Sequence, residues 1–135
     1  MTLDKHTAVT SLDGLTIARL AAQAAVDKHA EDVVVLDLRG LSTVTDFFVI
    51  GTAQSAPQLE AISDHIEQRL AQHGARVWHT EGIGASPPGV SAPQWLLMDC
   101  GECVVHMQDA PTRSLYQLER LWGDALRVPL AATAP

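Results

Sequence analysis

Between Gln94 and Met107 the chain carries two short apolar runs separated by a glycine turn, and the other predicted elements are arranged around them. Trp95-Leu96-Leu97-Met98 is unbroken, and Cys103 to Met107 is apolar apart from His106. A glycine with polar neighbours between two such runs signals a β-hairpin. Near-continuous apolarity, in place of clean alternation, predicts strands covered on both faces. A period of two sets Trp95, Leu97 and Asp99 on one side and Leu96 and Met98 on the other. The hairpin therefore belongs in the middle of a sheet, under helices.

The rest of the chain supplies those helices and further strands. Leu15, Ala18, Ala22, Ala25 and Val26 recur at helical spacing, which predicts a first helix over 14–29 with Ser11 or Asp13 as its cap. The β-branched run Asp32 to Leu38 and the apolar run Phe47 to Thr52 read as strands, and their short link favours antiparallel pairing. Ser55 and Pro57 open a second helix whose stripe is Leu59, Ile62, Ile66 and Leu70, ended by Gly74. Arg76 to Thr80 reads as a third strand. Glu81 to Pro93 holds three glycines and three prolines, so an exposed loop is expected there. A last helix should start at Asp109-Ala110-Pro111, with Leu115, Leu118, Leu121, Trp122 and Ala125 on one face. The prediction is a mixed α/β (α+β) domain with about five strands in a mixed sheet flanked by helices. One domain over 14–128 is expected, with loose termini at 1–13 and 129–135.

Charge narrows the function classes. The net charge is −7, and the nine Lys and Arg are scattered with no basic cluster. Nucleic-acid binding by phosphate neutralisation needs such a cluster, so direct DNA binding is not expected. No apolar run is long enough to span a bilayer and no leader is visible at the N-terminus, so a cytoplasmic protein is expected. Its two cysteines should then be reduced thiols.

Three constellations invite chemistry. Cys100-Gly101-Glu102-Cys103 has the spacing of a redox pair or half a zinc site. It brackets a predicted hairpin turn instead of a helix N-terminus, and only His79 and His106 are available to complete a zinc set. Asp37, Asp46 and Asp99 stand at predicted strand ends, where a magnesium site for nucleotidyl transfer would need them, yet without D-x-D spacing. Strand-end aspartates more often serve turns. Ser55 reads first as an N-cap, and nucleophile elbows and phosphate-binding glycine loops are missing from the sequence. No catalytic residue, metal or cofactor is expected. Trp95, Tyr116 and Trp122 are three of six aromatics and cluster late in the chain with Arg113 and Glu119, a composition suited to a protein interface.

Taken in order, several segments resemble the ribosomal silencing factor family, also called Iojap-like proteins. They are Glu31 to Asp37, Thr45 to Ile50, Ser55 to Ile62, Glu81-Gly82, Trp95 to Asp99, Gly101 to His106, and Arg113 to Trp122 with its Arg-x-x-Tyr-x-Leu-Glu-x-Leu-Trp pattern. The resemblance spans about Ala18 to Val128. It implies a nucleotidyltransferase-like fold without that activity. It also implies binding to the universal large-subunit ribosomal protein fourteen, which blocks joining of the small subunit when nutrients run low. On this resemblance the partner-binding residues are Trp95, Leu96, Met98, Asp99, His106, Arg113, Tyr116 and Glu119, with Leu118 and Trp122 as packing. Two departures stand out: Cys100 and Glu102-Cys103 around the turn, and the long Pro-rich segment Ile83 to Pro93. The competing readings are a nucleotidyltransferase-like enzyme using the three aspartates and a zinc or thiol protein using the two cysteines. A homodimer through an uncovered sheet edge is left open.

Overall fold

The computed structural model describes residues 12–82 and 94–130. The expected loop over 83–93 and the outermost residues of both termini lie outside that range. Helix α1 (Gly14–Asp27) starts where the Asp13 carboxylate accepts the Thr16 amide at 2.8 Å. Its buried face is built from Ile17 and five alanines, small enough to let the helix lie close on the sheet. Strands β1 (Glu31–Asp37) and β2 (Phe47–Thr52) follow and pair antiparallel, as their short link requires.

Helix α2 (Ala56–Gln72) begins at Ser55, whose hydroxyl accepts the Gln58 amide at 3.1 Å, with Pro57 in the first turn. Its stripe Leu59, Ile62, Ile66 and Leu70 is buried throughout. Each such side chain contributes roughly 1.5–3 kcal/mol by leaving water. Gly74 then takes φ of +81°, a left-handed conformation that glycine adopts without a Cβ penalty.

The chain continues through β3 (His79–Glu81), β4 (Trp95–Asp99) and β5 (Cys103–Gln108). It ends with α3 (Ala110–Tyr116), α4 (Leu118–Leu121) and β6 (Leu126–Val128). Among the described residues six strands form one sheet in the order β3-β4-β5-β2-β1-β6. Of these six strands, β2 and β5 pair parallel and the other neighbours pair antiparallel. The hairpin β4–β5 is internal, and its turn closes through the Cys100 amide donating to the Cys103 carbonyl at 2.8 Å.

The register sorts side chains between two faces. Val35, Phe47, Val49, Leu96, Met98, Cys103, Val105 and Met107 point towards α1 and α2 and form the main core. Leu36, Ile50, Phe48 and His106 point the other way, with Trp95, Leu97, Asp99 and Val104. That second face is covered only in part, by Leu118 and Trp122 of the C-terminal segment against Leu36, Leu38 and Ile50.

Three features depart from the sequence expectation. The third strand is shortened to His79–Glu81. The last helix is two: Gln117 adopts φ of +47°, ends α3 and turns the chain before α4. Leu115 and Leu121, expected on a buried stripe, are consequently 74% and 72% exposed. The chain then adds β6, a sixth strand that pairs antiparallel with β1.

Candidate functional site

The half-covered sheet face carries a row of rings. Tyr116 lies against Trp95 with centroids 4.8 Å apart, and Trp95 tilts towards His106 at 5.9 Å. His106 meets Phe48 edge-on at 4.5 Å, and Phe48 meets Trp122 at 5.9 Å. The row therefore crosses from β4 over β5 and β2 to the C-terminal segment. Half-buried Leu97 and Val104 lie on the same face. At the β3 edge the rim is polar, where exposed His79 and Glu81 contact each other at 2.6 Å.

Trp95 donates its indole N–H to His106 Nδ1 at 3.1 Å. An indole has no acceptor, so Nδ1 holds a lone pair and the imidazole proton resides on Nε2. Burial pulls the His106 pKa down to about 4, and the ring is neutral.

The break at Gln117 is braced by Arg113. Its Nε and Nη2 donate to the two Glu119 carboxylate oxygens at 3.0 Å each, and Nη1 donates to Thr52 Oγ1 at 2.8 Å. This fork holds α3 and α4 to each other and to β2. The Arg113 hydrogen bonds lower the Glu119 carboxyl pKa, with further help from the Arg113 and Arg127 charges.

The eight residues assigned to a partner surface thus divide into four groups. Trp95, Asp99 and Tyr116 reach the surface on one face. His106 lies beneath Trp95 and is 5% exposed. Arg113 and Glu119 form the brace. Leu96 and Met98 are fully buried on the opposite face, because strand alternation turns them towards the helices, and they leave the surface set. Phe48, Leu97 and Val104 belong to the face and were missed. The period of two had already placed Leu97 beside Trp95 and Asp99.

The other constellations resolve locally. Asp37 binds the Arg39 guanidinium at 2.7 Å, and Asp99 accepts the Gly101 amide at 2.9 Å in the hairpin turn. Asp37 shares a face with Phe47 and Asp99 with Val104, so these two carboxylates leave opposite sides of the sheet and do not converge. Among the described residues no group of three or more metal-ligating side chains is gathered. Cys100 and Cys103 are buried free thiols. Burial, reinforced by Asp99, pushes Cys100 up to about 12, and burial drives Cys103 well above its ordinary value. No helix among the described residues is long and apolar enough to cross a membrane.

Fold and site together define a class: a mixed-sheet α/β domain with one face sealed by helices and an aromatic, half-open second face. The sequence model of the family described as "Ribosomal silencing factor during starvation" matches residues 12–134, and the chain belongs to that family. It is 40% identical over 116 residues to the ribosomal silencing factor RsfS of Bacillus subtilis, covering 86% of this chain and 90% of that one. It is 31% identical over 118 residues to the chloroplastic protein Iojap of Arabidopsis thaliana, covering 87% of this chain and 46% of the relative. A crystal structure from Bacillus halodurans superimposes with a TM-score of 0.68 at 32% identity, covering 86% of this chain and 99% of that one. One from Chromobacterium violaceum gives 0.72 at 27% identity, covering 83% and 88%.

Proposed function

We propose that this protein represses translation by docking its aromatic sheet face on the large ribosomal subunit, at the universal protein fourteen, so that the small subunit cannot join. The observation that carries the reading is the half-open face itself. Trp95, Tyr116, Phe48, Leu97 and Val104 offer aromatic and aliphatic surface on a rigid sheet, the composition that anchors protein interfaces. Family membership supports the ribosome as the target. The net charge of −7 favours a basic partner and speeds encounter with it.

The mechanism is steric and needs no bond chemistry from this chain. The domain over 14–128 occupies volume that the small subunit requires, in the cytoplasm where subunits meet. Asp99 at the edge of the face would pair with a cation of the partner. Sedimentation with isolated large and small subunits, followed by a subunit-joining assay, tests the reading. Co-migration with large subunits alone, with joining reduced and both effects weakened in Trp95→Ala, is expected. Binding to neither subunit would sink it. Unchanged binding by Trp95→Ala would move the interface elsewhere.

A further inference from the structure

We propose that His106 is a positioning residue that fixes the Trp95 ring at the docking face through its Nδ1 acceptor and does not itself touch the partner. The inference rests on the docking reading for its effect on affinity, but the positioning of Trp95 stands apart from that reading.

A histidine is an expensive choice at this site. Its Nε2 is buried and has no hydrogen-bond partner among the described residues. A leucine or phenylalanine would fill the position between Phe48 and Leu97 without an orphaned donor. What those residues cannot supply is an acceptor for the Trp95 indole at 3.1 Å. The unsatisfied donor is thus the counterpart of the acceptor on the other side of the ring, since a neutral imidazole has one of each.

Placement favours the same role. His106 belongs to β5, between β4 and β2 in the sheet, and Phe48 stands edge-on against it. Trp95 is the first residue of β4 and is only half-buried. A ring there, released from its anchor, would sample several rotamers and lose that freedom again on docking. Immobilising one such side chain weakens binding by roughly three- to tenfold.

The test uses two substitutions with opposite chemistry. His106→Asn retains an amide oxygen near the Nδ1 position, whereas His106→Phe removes the acceptor and keeps the ring. In 15N spectra the Trp95 indole resonance of the native protein should be hydrogen-bonded and slow to exchange, against a fast one for Trp78, which is 66% exposed. His106→Phe should shift and broaden that resonance and weaken binding to isolated large subunits about three- to tenfold. His106→Asn should restore both. The Trp78 and Trp122 resonances report whether each variant is folded. Fast exchange of the Trp95 indole in the native protein, or an equal loss of affinity in both folded variants, would overturn the proposal. Should Trp95→Ala bind normally, the docking reading fails while the indole result still decides the positioning.

Discussion

Buried neutral His106 makes the fold acid-sensitive in a window of its own. Its pKa drops from 6.5 to about 4 on folding because burial disfavours the imidazolium. The unfolded chain therefore takes up a proton near pH 6.5 while the native chain refuses it, so the unfolded state binds more protons and stability rises with pH. The contribution is complete above about pH 6.5, declines as pH falls, and is spent near pH 4. About 2.5 pH units at 1.36 kcal/mol each give a loss of about 3 kcal/mol. A domain held by about 5–15 kcal/mol would show that clearly. The lowered carboxylates Asp13, Asp27, Asp37 and Glu119 lose their contributions around and below their ordinary values of 3.8 and 4.5, later in the titration. Denaturant unfolding followed by tryptophan fluorescence, at steps from about pH 7.5 to about pH 4.5, reads the slope. His106→Asn should be markedly flatter than the native protein over that range, since every other group is common to both. Parallel curves for the two proteins would refute the reasoning.

Four further outcomes are expected. Leu96→Ala should lower stability by about 2–5 kcal/mol in denaturant unfolding, whereas its neighbour Leu97→Ala should weaken large-subunit binding with a far smaller stability loss. Arg113→Ala leaves Glu119 and Thr52 without their donor and should cost about 2 kcal/mol in thermal unfolding, and Arg113→Lys should not recover it because an ammonium lacks the fork. Gly82 has φ of +92° and a Cβ there would run into the Trp95 carbonyl, so Gly82→Ala should destabilise by about 2 kcal/mol or more and disturb the Trp95 indole resonance. Cys100 and Cys103 should resist a thiol-reactive dye in the native protein and react at once in denaturant; fast native labelling would show an accessible thiolate.

Where local rules and tertiary packing agree, the sequence was readable. Ser55, Pro57 and Gly74 bound α2 in both accounts, and Phe47–Thr52 needed no correction. The hairpin turn and the two sides of β4 followed from a glycine and a period of two. The break at Gln117 was not legible, since a glutamine with φ of +47° carries no turn signature. Its cause is tertiary: Trp122 reaches Phe48, and Arg113 folds back on Glu119. Strand β6 is three residues whose ladder exists only beside β1, so nothing in Leu126-Arg127-Val128 announces it. At the site, Trp95 and Tyr116 were found by composition. Leu96 and Met98 were carried in by resemblance, against the alternation that set them on the opposite side from Trp95.

The central parallel pair has a consequence for synthesis of the protein. Strand β2 ends at Thr52 and its partner β5 ends at Gln108, so the middle of the sheet joins segments made far apart in time. The ring row spans both strands, from Phe48 to His106, and is completed by Trp122 near the end of the described chain. A nascent chain holding only the first half has neither the central ladder nor the row of rings. Such long-range pairing folds late and slowly compared with local contacts. The ring row is therefore complete only once the chain through Trp122 has left the ribosome that made it.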